Sequence, residues 1–244
     1  LRDRYYPLAH LPLMTDDAHF VVNGIRRVVV NQMIRCPSIY YKVKLLKKNR
    51  RSYLVSFLSD RGVWIRIERD NDDKLWFRIN NFPMIPLFVM LRALGITDTI
   101  LAQTLTSTTS LQDSKYPKKG QNDENRNPQT RDEALLLLGN ILALSRPRLE
   151  KMSSTVGPGQ GAPRGRHFLS SKVFHTNNYS LSEGGRMRIN RRFNLCSGVA
   201  TLQPEDVLVG LQGLLDIEAN PLLADDIDHL ENRRVRTISD LLRN

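Results

Sequence analysis

An α+β fold, with an antiparallel meander of strands and helices packed on it, is what this 244-residue sequence predicts. Three observations point there. Residues 39–80 alternate apolar and polar side chains between clusters of turn-forming residues, the period of half-buried strands. Asn23-Gly24 stands between two β-branched runs, and both residue types tolerate the positive φ that a two-residue hairpin turn demands. Beyond Pro83 the apolar spacing lengthens to the three-and-four rhythm of helices.

Taken in order, Phe20–Val22 and a run from Ile25 to Ile34 read as strands flanking the Asn-Gly turn, and Pro37 ends the second. IYYKVKLL and SYLVSFL (52–58) read as a strand pair around the turn KKNR. VWIRIERD and LWFRIN form a second hairpin around Asp70–Asp73. Val63, Ile65 and Ile67 share one face, as do Leu75, Phe77 and Ile79. Aligning those faces requires an odd loop, of three residues with a bulge. Trp64 and Trp76 then fall on the opposite face, beside Arg66 and Arg78.

Pro83 and Pro86 introduce the helix LFVMLRALG, Gly95 stops it, and a short helix begins near Thr97. Residues 104–129 are polar and aperiodic, a flexible linker. Thr130 and Glu133 form a capping box before ALLLLGNILAL, which is apolar nearly all round and so reads as buried. Residues 151–166, with GPGQGAPRGR, read as a second flexible stretch. Pro204 opens a last long helix with Val207, Leu208, Leu211, Leu214 and Leu215 on one face.

Lysine plus arginine number 36 against 25 acidic residues, a net charge of +11. That surplus suits an anionic partner such as nucleic acid, and also a solvated basic surface or a basic face within a ribonucleoprotein. Cys36 and Cys196 stand too far apart for a zinc ribbon and are too few for a disulfide scaffold. No apolar run approaches membrane-spanning length. With Leu1 first, the N-terminus reads as processed or trimmed.

No nucleotide-binding glycine loop, zinc-protease helix or nucleophile elbow appears. Arg186, Arg188, Arg191 and Arg192 cluster in GRMRINRRF, either as phosphate ligands or as an ion-paired interdomain face. Asp225, Asp226 and Asp228 have the composition of a magnesium site, but His229, Arg233, Arg234 and Arg236 crowd the same segment. An aspartate there can instead accept from the edge of a base, guanine above all. A tryptophan among arginines is either half-buried packing or a platform for an unpaired base.

Three strings carry a family resemblance. PLMTDDAHFVVNGIRRVVVNQMIRCPSIYY (12–41) is similar to a pattern of PLMT, a FIING turn, a RVIVSQ strand and RSPGVYF. LSDRGVWIRIE (58–68) and MIPLFVMLRALG (84–95) follow, similar to RGSWLEFE and LPVTxFLRALG. YSLSEGGRMRINRRFNL (179–195), LQPEDVL (202–208) and DDIDHLENRRVRTISDLLRN (225–244) resemble GRxKLNRRL, LTxEDIL and DDIDHLGNRRVRSVGELL. In order and spacing these resemble the β subunit of bacterial-type RNA polymerase, with a lysine-rich style over 42–53 similar to plastid versions.

The resemblance implies a lobe domain (36–223, with linkers 104–129 and 151–166) inserted in a discontinuous protrusion (1–35 and 224–244). It implies a segment of a nucleotidyltransferase that carries no catalytic residue, no cofactor and no metal itself, the Mg²⁺ being held by β′. Partners would be the remainder of β, β′, α, a sigma factor, and template and non-template DNA, with no membrane; the compartment would be the plastid stroma or the bacterial cytoplasm. A pocket for unpaired non-template DNA maps onto Arg35, Ile227, Asp228 and Arg233, with Trp64 stacking on the neighbouring base. The rifamycin region begins at Val30, Asn31 and Gln32, where Asn31 replaces the family serine. Ser38 and Glu231 replace family glycines, and Glu231 would be strained if that position needed positive φ. A stand-alone single-stranded nucleic-acid-binding domain shares the charge and the aromatics, and a purely protein-contacting subunit shares the charge.

Overall fold

The computed structural model describes residues 10, 12–45, 51–70, 74–80, 82–104, 128, 130–144, 161–172 and 174–243. The chain divides into two compact units, Cys36–Ile227 and Leu1–Arg35 with Asp228–Asn244.

The larger unit is built on a five-stranded antiparallel sheet in chain order: β4 (Ser38–Leu45), β5 (Arg51–Leu58), β6 (Ile65–Arg69), β7 (Leu75–Ile79) and β8 (Ile85–Pro86). Alternation puts two rows of apolar residues on one face, Tyr41, Val55, Ile67, Phe77 and Ile85, then Ile39, Phe57, Ile65 and Ile79. All nine are buried. The β6–β7 loop has the odd length that alignment requires: the strands end at Arg69 and Leu75, and Asp70 N–H donates to Lys74 O at 2.9 Å. Its tip, 71–73, lies outside the described residues, as do the KKNR turn and 105–127 of the first linker.

Helices cover the apolar face. They are α1 (Leu87–Ala93), α2 (Asp98–Thr104), α3 (Arg131–Leu144), α4 (Gly161–Lys172), α5 (Ser182–Phe193) and α6 (Pro204–Ala219). α1 starts after Pro86 and is followed by Gly95 at φ +89°. The Thr130–Glu133 capping box forms, at 3.3 and 3.4 Å. On α6, Val207, Leu208, Leu211, Leu214 and Leu215 are all buried, against β4 and β5 among others.

Two helices depart from expectation. α3 is not buried all round: Ala134, Leu135 and Leu138 are buried, but Leu136 is 45% exposed. Residues 161–166, expected to be flexible, form the first half of α4. Glycine here serves close approach: a Cβ on Gly165 would stand 2.3 Å from Leu135 O, and one on Gly139 2.0 Å from Gly161 O. Residues 151–160 lie outside the described residues.

The smaller unit holds two two-stranded ribbons. β1 (Phe20–Val22) and β2 (Ile25–Arg27) flank the expected turn, with Asn23 at φ 53° and Gly24 at φ 76°. The strand expected from Ile25 to Ile34 is interrupted after Arg27, where β1 runs out of partners. It resumes as β3 (Gln32–Arg35), whose partner is β9 (Arg233–Arg236) from the far end of the sequence. A short α7 (Ile238–Arg243) follows.

Candidate nucleic-acid interface

The β3–β9 register sets Arg35 directly opposite Arg233. Two guanidinium groups on neighbouring positions repel unless an anion stands between them. Asp228 supplies it: its Oδ1 accepts from Arg233 Nη2 at 2.8 Å and from Arg35 Nη2 at 3.4 Å. The hydrogen bond from Arg233, with the Arg35 charge behind it, holds the Asp228 carboxyl below its usual range. Its side chain is 61% exposed, so this charged group meets solvent. Between Asp228 and β9 the chain makes a 3₁₀ turn, Leu230–Asn232. Glu231 lies in that turn and has no positive φ, so the feared glycine strain does not arise.

Trp64 and Ile227 belong to the larger unit, and both are half-buried. Trp64 sits just before β6, its carbonyl accepting from Asn80 N–H at 3.3 Å. Trp76 and Arg78 share the sheet face away from the helices with Arg66 and Glu68, as the alternation requires. On that face Glu68 pairs with Arg78 at 2.6 Å, and the Trp76 indole N–H is buried without a partner.

The arginine cluster on α5 divides by environment. Arg186 is engaged within the fold: its side chain is 5% exposed and forms a two-pronged ion pair with Asp206, at 2.8 and 2.9 Å. It also donates to the carbonyls of Val199 and Thr201. The three-residue spacing of a cap betrays Asp206 in the sequence, since its carboxylate also accepts from Gln203 N–H at 2.7 Å to start α6. Arg192 makes its own two-pronged pair with Asp225, at 2.9 and 3.0 Å, and lies over the Tyr41 ring. Asp225 Oδ2 further accepts from Tyr41 N–H at 2.8 Å. Asp225 is therefore a clamp on the edge of β4, a role its acidic neighbours disguised. Arg188 is half-buried and Arg191 exposed.

Val30, Asn31 and Gln32 are exposed at the start of β3. Among the described residues, no three His, Cys, Asp or Glu side chains are grouped to hold a metal ion. No single described helix is long and apolar enough to cross a membrane; the bent pair α1 and α2 meets only the length and composition criteria.

Residues 35–236 match the family RNA polymerase Rpb2, domain 2. Among similar proteins, the DNA-directed RNA polymerase subunit beta of Ostreococcus tauri is 38% identical over 252 residues, covering 98% of this chain and 21% of the relative. Those of Guillardia theta and Thermosynechococcus vestitus are 37% identical over 239 and 240 residues, each covering 97% of this chain and 20% of the relative. The chain thus spans about one fifth of the length of these relatives. By that match and these relatives, this chain belongs to the RNA polymerase Rpb2 domain 2 family, as part of a β subunit.

Proposed function

We propose that this chain works inside a multisubunit DNA-directed RNA polymerase as the lobe (36–223) and protrusion segments (1–35 and 224–244) of β. It lines the DNA cleft and contacts downstream and non-template DNA. The observation that carries this reading is the exposed Asp228 carboxylate held between Arg35 and Arg233. A fixed anion can accept from the N1–H and N2–H₂ donors of an unpaired guanine, and the flanking guanidinium groups favour a nearby phosphate. On the larger unit, the half-buried Trp64 separately offers a ring on which an unpaired base could stack.

Catalysis would belong to other parts of the assembly. Asp225 is engaged by Arg192 and Tyr41, and Asp228 by two arginines, so neither suits a cation. The Mg²⁺ of the reaction would be held by β′. Arg191 and Arg188 remain candidates for phosphate contact, while Arg186 and Arg192 serve the fold. Partners would be the remainder of β, β′, α and a sigma factor, in a plastid stroma or bacterial cytoplasm.

Affinity purification of the tagged chain from its native source, followed by mass spectrometry, tests the assignment. Recovery of the remaining β sequence with β′ and α supports it. Recovery of the chain with nucleic acid alone would favour an independent single-stranded binding domain instead.

A further inference from the structure

We propose that His229 is a positioning residue for the Asp228–Arg233–Arg35 cluster, acting through its imidazole Nδ1. The proposal rests on the reading of that cluster as a base-contacting site. His229 caps the turn Leu230–Asn232 twice: Nδ1 accepts from Glu231 N–H at 3.3 Å, and its carbonyl accepts from Asn232 N–H at 2.9 Å. An accepting Nδ1 places the ring proton on Nε2.

The turn buries little apolar surface. Leu230 is 71% exposed, and the side chains of His229 and Glu231 are 58% and 86% exposed. With so little apolar burial, polar contacts, the His229 caps among them, keep a three-residue turn in shape. That shape sets how Asp228 returns to Arg233, where the contact is 2.8 Å. A turn that frays lets the carboxylate drift from a guanidinium that β3–β9 pairing holds in place.

The same device recurs elsewhere in the chain. Asn220 Oδ1 accepts from Leu222 N–H at 3.2 Å to cap the 3₁₀ turn Pro221–Leu223, and His175 Nδ1 accepts from Asn177 N–H at 3.2 Å. Asparagine is therefore the replacement that should preserve the function at position 229, and leucine the one that should abolish it. The Glu231 carboxylate lies 3.9 Å from Nδ1.

The test uses His229→Leu, His229→Asn and Asp228→Ala. Amide hydrogen exchange by NMR on the full chain reads the cap. The ratio of activity on non-template strands with guanine or adenine near the active centre, in polymerase assembled on the tagged chain, reads the site. His229→Leu should speed Glu231 exchange about 5-fold, the equivalent of ~1 kcal/mol for a lost cap, and should lower the base ratio towards that of Asp228→Ala. His229→Asn should restore both. Unchanged Glu231 exchange in His229→Leu, or an unchanged base ratio despite faster exchange, would overturn the positioning role. An unchanged ratio in Asp228→Ala would overturn the underlying site reading, whatever the exchange shows.

Discussion

Replacing Arg186 with methionine should cost the fold far more than it costs any contact with nucleic acid. The guanidinium and the Asp206 carboxylate are 5% and 1% exposed, joined by two hydrogen bonds. Two backbone carbonyls, of Val199 and Thr201, complete the arginine's partners. Methionine fills similar space but leaves a buried carboxylate with no opposing charge. Removing one partner of such a pair costs about 3–5 kcal/mol. Domains are stable by only about 5–15 kcal/mol, so the loss would be a large share. At ~2–4 °C per kcal/mol for units of this size, Tm should fall by roughly 6–20 °C. Urea unfolding of the whole chain, followed by the fluorescence of Trp64 and Trp76 in the same unit, reads this directly. The double variant Arg186→Met with Asp206→Leu should recover much of the loss, because a well-packed apolar pair often matches a buried ion pair. It should fall short by about 0.5–2 kcal/mol, since Asp206 also caps α6. A loss below ~1 kcal/mol for Arg186→Met, the range of an exposed ion pair, would mean that the Asp206 pair does not hold the fold and that Arg186 is available to phosphate.

Two further outcomes follow from the packing and the charges. Gly165→Ala should destabilise the larger unit by about 1–3 kcal/mol in the same unfolding assay, because the new Cβ would meet Leu135 O at 2.3 Å. Carboxyl NMR should place the Asp228 titration below the ordinary aspartate midpoint, with Arg233→Ala moving it upward. A depressed carboxyl stabilises the fold above the ordinary aspartate range and loses that contribution as pH falls through its own midpoint. The Asp228 cluster should therefore be intact at neutral pH and fail only in acid.

The sheet was legible because a two-residue period over 39–80 allows few other structures, and the Asn-Gly turn because few other pairs accept two positive φ values. What composition hid was long-range pairing. Nothing near Ile34 announces that β3 will pair with residues 233–236 and not carry on the hairpin with β1. Glycines in GPGQGAPRGR looked like punctuation, yet two of them let α4 approach α3 closely. Arg186 and Arg192 looked alike in sequence, but each has a carboxylate partner 20 or more positions away that takes its charge. Arg35, Asp228 and Arg233 were singled out through family strings, and the structure joins them across 193 positions. His229 stood out only as a basic neighbour of the aspartates, because a histidine without ligand spacing does not signal a cap until its backbone partner is seen.

On the function proposed above, Asp228 reads an unpaired base within an assembled polymerase. The most direct measurement compares wild-type and Asp228→Ala enzymes, purified through this chain, on templates differing only in one non-template base near the active centre. The wild type should distinguish guanine from the other bases, and Asp228→Ala should lose this distinction while retaining overall DNA affinity. A uniform change across all four bases, or none at all, would contradict it.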